Sequence, residues 1–376
     1  MSFYNKPLEF LNIMKKLVQN QQDFEKYVRE NKIEEERLKY IFESKFSIKS
    51  PQSYLDQINW QNDEDPLKLM VIPNILEQEV KEYEVTDPIG DQPNLATKNL
   101  VHRYSDRVLL LLTNNCQINC RFCFRRELTH HSTPPNLENI YNYLSLHPEV
   151  NEVIFSGGDP LTLSPKYLTE VFNKLKTIPH IKKYRFHTRI PVVNPNHIDQ
   201  KYLDFFKLIN KEKQLTIVLH INHHQELSKE NMKLFKKLRK SALLLSQTVL
   251  LKGVNTNTQT LSELFSNLVD HNIKPYYLHH LDLVKGTNHF RVSIEEGKKI
   301  YRSLRGKISG QCIPEYVLDL PGGKGKVPVM WLEKFKIKNS KKNISLKQSY
   351  KIKTFKGEII IYEDPADSPT SPLDLK

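Results

Sequence analysis

From about residue 100 onward the sequence predicts an α/β fold built on a parallel sheet, and three observations carry that prediction. Short apolar runs of strand length alternate with amphipathic stretches of helix length, as in βα units. Six such runs can be marked: Val108 to Leu112, Glu152 to Ser156, Lys183 to His187, Leu215 to Ile221, Leu243 to Leu251 and Pro275 to His280. The chemistry-bearing motifs follow directly on these runs, where the loops at the carboxyl ends of parallel strands form the reactive face.

The remaining elements follow in chain order. Residues 1 to about 50 are polar, with Leu8, Leu11, Met14 and Leu17 at helical spacing, and predict a helix. Pro51 interrupts it, a second helical stretch runs from Pro66 to Tyr83, and the extended segment Asp87-Pro-Ile-Gly-Asp91 leads inward. Residues 1–98 thus read as a helical extension and 99–300 as the main domain, with Pro165 to Lys176 and Ser228 to Lys240 suited to helices between strands. Residues 301–363 form a smaller region: a strand-like Cys312 to Leu320, the glycine-rich Pro321-Gly-Gly-Lys-Gly-Lys326, a basic loop, and a hairpin of Ser349 to Phe355 and Glu358 to Tyr362 around Lys356-Gly357. The tail 364–376, with Pro365, Pro369 and Pro372, reads as disordered.

Composition narrows the class. At 376 residues and 39% hydrophobic content the chain can bury one full core with smaller appendages. The N-terminal stretch holds no long apolar run, so neither a secretory signal nor a membrane span is expected. Cys312 lies far from the other three cysteines, which argues against a disulfide framework and for a reducing cytoplasm. The net charge of +13 invites a nucleic-acid reading. Its lysines are spread along the chain, dense only at Lys233 to Lys240 and Lys334 to Lys353, without the interleaved aromatics of single-strand binders. Nucleic acid is therefore not the expected partner.

Three of the four cysteines fall within eight residues, Cys116-Gln-Ile-Asn-Cys120-Arg-Phe-Cys123, on the loop leaving the first strand. Three thiolates can hold three irons of a [4Fe-4S] cube and leave the fourth iron open for a small molecule to chelate. Structural zinc is the alternative, with His130 or His131 as a fourth ligand, although no second cysteine pair is present. A non-catalytic zinc adaptor and an iron-sulfur enzyme acting on RNA are the competing functional classes. Ser156-Gly157-Gly158-Asp159 also closes a strand, and could be an ordinary turn or a backbone approach to a ligand. His220 and Gln247 are either part of the same pocket or satisfied core polar groups.

The cysteine spacing, with an aromatic before the last thiol, resembles the radical S-adenosylmethionine (SAM) enzymes. Residues 100 to 330 further resemble the lysine 2,3-aminomutase family, through His102-Arg-Tyr-Ser-Asp-Arg107, Cys116 to Arg126, Phe155 to Leu161, His187 to Val193, Ser246 to Val254, Asp282 to Arg291 and Asp319 to Pro328. The resemblance implies a partial (β/α)6 barrel of radical SAM type. It implies a [4Fe-4S] cluster on Cys116, Cys120 and Cys123, and SAM at the open iron near Ser156, Gly157, Gly158 and Asp159. It also implies pyridoxal 5'-phosphate (PLP) bound covalently to Lys326, with Lys324 the other lysine of that loop, and Arg103, Arg107 and Arg189 at the phosphate. Arg125 would hold the substrate carboxylate, and Asp282 and Asp319 the distal ammonium of L-lysine, two carboxylates tolerating each other with a cation between them. The implied reaction is radical 2,3-amino migration giving β-lysine, fed by a flavodoxin- or ferredoxin-like electron donor in a cytoplasmic enzyme, with a homo-oligomer as one arrangement. Arginine and ornithine are the alternative substrates, and modification of elongation factor P the alternative to free β-lysine metabolism. Some members bind zinc through cysteines late in the chain, and this sequence has none after Cys312.

Overall fold

The computed structural model describes residues 17–34, 38, 40–41, 46–127, 135–335 and 348–365. The chain enters through β1 (Leu17–Val18), which pairs antiparallel with β2 (Ser50–Pro51). Leu17 is therefore in a strand, not in the expected helix. Leu8, Leu11 and Met14 lie outside the described residues, as do His130, His131 and nearly all of the predicted disordered tail. A helix does form at Gln21–Glu30. The Asn20 side chain caps it, and Phe24, Tyr27 and Val28 bury one face.

The helix expected over 66 to 83 is much shorter. It starts well, with Asp65 accepting from the Lys68 amide and Pro66 at the first position, but spans only Pro66–Val71. The reason is Pro73, whose ring disfavours helical backbone at the preceding Ile72. Ile72 is accordingly extended, at φ −89° and ψ 130°. A capping box of Asn74 and Glu77 then opens a single 3-10 turn, Ile75–Gln78.

The core is one ten-stranded sheet in the order β12-β11-β10-β9-β8-β7-β6-β5-β4-β3. Two strands at one edge, β3 (Leu95–Thr97) and β4 (Leu100–Tyr104), run antiparallel. Then come the parallel strands β5 (Arg107–Thr113), β6 (Glu152–Gly157), β7 (Lys183–Thr188), β8 (Gln214–His220), β9 (Leu243–Val249), β10 (Lys274–His279) and β11 (Glu315–Leu320). The first six coincide with the predicted runs to within a residue or two. β11 is a seventh parallel strand, where the sequence reading counted six. At the other edge β12 (Gly325–Pro328) turns back antiparallel to β11.

Six helices link the parallel strands: Leu137–Ser145, Pro165–Leu175, Gln200–Glu212, Lys229–Leu238, Thr258–Asp270 and Ile294–Ser303. Each begins at a side-chain cap, from Asn136, Ser164, Asp199, Ser228, Asn257 and Ser293 in turn, and a cap contributes about 1 kcal/mol. Their apolar stripes, such as Leu168, Val171, Phe172 and Leu175, cover the sheet's outer face. On β5 the alternation is plain: Val108, Leu110 and Leu112 are buried, while Arg107 and Leu109 line the interior cavity. The fold is a partial (β/α)6 barrel, since among the described residues no pairing joins β3 to β12. Its seam is bridged instead by Tyr104 of β4, whose hydroxyl accepts from the Lys326 amide of β12 at 2.9 Å. Beyond the barrel, β13 (Glu333–Phe335), β14 (Gln348–Lys353) and β15 (Ile359–Asp364) form a small antiparallel sheet. It contains the expected hairpin. The basic loop expected before it lies largely outside the described residues.

Candidate active site

All sixteen residues singled out from the sequence line one cavity inside the barrel: Cys116, Cys120, Cys123, Arg103, Arg107, Arg125, Ser156, Gly157, Gly158, Asp159, Arg189, His220, Gln247, Asp282, Asp319 and Lys326. They fall into two groups. The cysteine loop leaves β5 and is held from outside by the N-terminal segment. There the Asn119 amide donates to Lys49 O at 2.8 Å and the Arg121 amide to Met70 O at 2.9 Å. Glu77 takes both Arg121 and Arg126, the latter at 2.6 Å. Burial pushes the Glu77 carboxyl up, but the two guanidiniums outweigh it and hold it below its ordinary range.

Burial raises the Cys123 thiol to about 11, helped by Cys120, and also raises Cys116 well above its ordinary value, helped by Asp159. These two thiols are thus protonated when free, and a bound metal cluster would deprotonate them. Among the described residues no three His, Cys, Asp or Glu side chains gather around one point as a single metal ion requires. The fourth ligands of the zinc alternative, His130 and His131, lie outside the described residues. A four-iron cube is larger and places each thiolate on a different iron.

The glycines of Ser156-Gly157-Gly158-Asp159 serve a close approach, but of protein to protein. A Cβ on Gly158 would stand 2.4 Å from Asn115 O, and one on Gly157, at φ +114°, 2.3 Å from Thr113 O. The Gly158 amide donates to Thr113 O at 2.6 Å and the Asp159 amide to Asn115 O at 2.8 Å. Asp159 is likewise spent on the protein. Its carboxylate accepts from the Thr188 hydroxyl and from the amides of Leu161, Arg189 and Ile190.

Two arginines are likewise held by the protein. Arg189 does not join Arg103 and Arg107. One guanidinium nitrogen donates to Cys120 Sγ at 2.7 Å, and the other donates to Glu226 at 2.6 Å and to the Tyr54 hydroxyl at 3.3 Å. Arg125 donates twice to Asp91, at 3.0 and 2.7 Å, and once to Ser156 Oγ at 3.2 Å. In this state its paired donors meet a protein carboxylate, not a ligand. Asp91 also takes Arg103 at 2.9 Å. Arg107 donates to the half-exposed Asp106 at 2.7 Å, with its guanidinium over the Tyr104 ring.

Of the two polar residues left open, His220 meets Asn222 Oδ1 at 3.2 Å, and burial, with Arg189 nearby, lowers it to about 3. The Gln247 amide lines the cavity and makes no hydrogen bond among the described residues.

The second group surrounds Lys326. The antiparallel register sets Lys326 opposite Asp319, and Nζ donates to Asp319 Oδ1 at 2.7 Å. His279 Nδ1 lies 3.4 Å from the other carboxylate oxygen. Burial opposes the charge on Asp319, but Lys326 and His279 hold its carboxyl well below the usual range. Asp282 is pushed up to about 8 by burial and by Asp319. Lys324 points elsewhere, to Glu358 at 2.7 Å. Asp91, Glu226, His279 and Tyr104 were missed in the sequence. Asp91 carried a signal, closing the extended segment that leads into the core, and Tyr104 another, within His102-Arg-Tyr-Ser-Asp-Arg107.

The Radical SAM superfamily profile matches residues 110–265 and the Lysine-2,3-aminomutase profile residues 301–374. The chain is 39% identical over 287 residues to the L-lysine 2,3-aminomutase of Buchnera aphidicola subsp. Baizongia pistaciae, covering 75% of this chain and 84% of that one. It is 37% identical to the enzyme of that name from Escherichia coli, covering 76% and 83%. To that of Clostridium subterminale it is 33% identical, covering 93% and 82%. With identities at this level running across most of each protein, the chain belongs to the lysine 2,3-aminomutase family of the radical SAM superfamily.

Proposed function

We propose that this chain converts L-lysine to β-lysine by moving the α-amino group to carbon 3. One observation carries the reading: the cavity that holds the three cysteines also holds a lysine flanked by two carboxylates, Asp282 and Asp319. The residues fit the family's groups, with three thiols on one loop for the cluster and SAM, and a half-buried amine lining the barrel cavity for PLP. When bound, these groups would supply a carbon-centred radical and a conjugated ring that delocalises spin.

The chain's own part is orientation and charge. Arg125 is positioned to exchange Asp91 for a substrate carboxylate, a paired contact suited to guanidinium. Arg107 lies over the Tyr104 ring, whose hydroxyl meets the Lys326 amide, and Arg103 is held by Asp91; both line the cavity and would serve a phosphate there. Asp282 and Asp319 demand a cation, which favours lysine over an amino acid with an acidic side chain. Holding the reacting groups in register is itself a large part of catalysis. The low-potential electron donor would reach the cluster from the loop side. Four free cysteines suit a reducing cytoplasm, and among the described residues no helix is long and apolar enough to cross a membrane.

The test is anaerobic reconstitution, then incubation with dithionite, SAM and L-lysine. β-Lysine is expected. Its absence at full iron and pyridoxal occupancy defeats the proposal, as does faster turnover of arginine or ornithine. Borohydride reduction with peptide mapping should label Lys326, and a label on Lys324 would reassign the cofactor lysine. Cys120 to Arg126 and His279-His-Leu-Asp282 favour the elongation factor P branch, for which the test is the mass of that factor in cells lacking this chain.

A further inference from the structure

The acidic pair beside Lys326 already holds an ammonium group, and that group is the protein's own. Asp319 and Lys326 face each other across β11 and β12 at 2.7 Å. Asp282, three residues beyond β10, lines the same cavity and makes no hydrogen bond among the described residues. The other charged and titratable groups facing it have their own partners. Arg125 is held by Asp91 and Ser156, and Arg291 by Leu281 O, Tyr362 and Asp364. Tyr362 is raised by burial and stays neutral at physiological pH, and burial also keeps His279 uncharged.

A charge count follows. With Asp282 raised to about 8 by burial and by Asp319, the pair carries one negative charge near neutral pH. Lys326 carries one positive charge. The site is balanced, and a second ammonium would enter it uncompensated.

We propose that Lys326 itself occupies, in the PLP-free chain, the place of the substrate's distal ammonium, so that attachment of the pyridoxal aldehyde to Lys326 opens that place to a cationic side chain. The inference rests on the function proposed above. On attachment the ammonium gives up a proton to solvent, its nitrogen forms a C=N bond to the aldehyde carbon, and the aldehyde oxygen leaves as water. The ammonium that had neutralised Asp319 is then gone. The buried pair now requires a cation, which a lysine side chain brings and a neutral side chain does not. Cofactor loading therefore precedes substrate loading, and the unloaded protein does not trap lysine unproductively.

The experiment measures calorimetric binding of 6-aminohexanoate, which has lysine's carboxylate and distal ammonium but no α-amino group. It compares the PLP-free chain with PLP-free Lys326→Met and Lys326→Gln, two neutral replacements that guard against misfolding of either. Binding at least about tenfold tighter in the variants is expected, a difference of about 1.4 kcal/mol. The gain should vanish when Asp282→Asn is added. Equal affinity in wild type and both variants, including no binding by any, overturns the proposal. The underlying reading fails separately, by absence of borohydride-trapped pyridoxal on Lys326.

Discussion

The two halves of the cavity are built on different principles. The cysteine half is held by backbone. Gly157 and Gly158 press against residues 113–115, Asp159 ties the ends of β6 and β7 together, and the N-terminal segment clamps the loop from outside. The lysine half is held by charge, with Lys326, Asp319, His279 and Asp282 brought together from three separate stretches of chain. A cluster must be met by thiols in fixed positions, whereas a substrate must be admitted and released. The first half should therefore respond to substitution in stability, and the second in affinity and pH.

The sharpest test of the rigid half is Asp159→Ala. It leaves the Thr188 hydroxyl and three amides without their buried acceptor, at an expected cost of about 3 to 5 kcal/mol. A shifted urea midpoint would show it. If stability were unchanged and only SAM affinity fell, Asp159 would be a ligand contact and the contrast between the halves would fail.

In the charged half, Asp282→Asn should raise KM for lysine about tenfold to a hundredfold, since a hydrogen bond to a charged group is worth about 1.5 to 3 kcal/mol. Its pH signature has a definite sign. The carboxyl rises from its ordinary 3.8 to about 8 in the folded, PLP-free chain, so the folded state keeps a proton that the unfolded state loses. The group therefore costs stability progressively as pH rises from about 3.8 toward about 8. Asp282→Asn should flatten that decline. Identical stability profiles for wild type and variant would show that Asp282 is not held back.

These two carboxylates also show what the sequence could disclose. Strands β5 to β10 were legible because buried parallel strands are continuous apolar runs, and the thiol spacing is local. The shortened helix was legible in principle, from Pro73, and was overread from its helical composition. The partners were not. Asp91 lies 34 residues from Arg125 and Glu226 lies 37 from Arg189, so only the folded sheet brings them together. The pairing of Asp319 with Lys326 depends on a turn in which Gly322 and Gly323 adopt φ of +72° and +78°, and no periodicity announces that register.

A smaller effect is expected at the border of the halves. Arg189 donates to Cys120 Sγ while Glu226 holds its other end, and hydrogen bonds to cluster sulfurs help set the reduction potential. A cation at the sulfur favours the cluster that has gained an electron. Arg189→Gln should therefore lower the potential, and a tenfold shift of the equilibrium is about 59 mV for one electron. Redox titration followed by electron paramagnetic resonance reads this directly. An unchanged potential at full iron content would leave Arg189 a purely structural tie.

The smallest effect belongs to Lys324, two residues from Lys326 and on the opposite side of a functional boundary. Its ammonium pairs with Glu358 on the surface at 2.7 Å, with both side chains substantially exposed. Surface pairs of this kind contribute little, because solvent already satisfies both charges. Along β12 successive side chains alternate in direction, so a step of two leads back to the same face. Lys324, however, precedes β12 and lies in the turn, where that alternation does not apply. Lys324→Ala should thus leave thermal stability, pyridoxal attachment and lysine turnover unchanged, read by melting, absorbance and product formation on one preparation. Loss of pyridoxal attachment would mean that the turn rearranges to bring Lys324 inward, and the charge-held half would then be organised around a different amine.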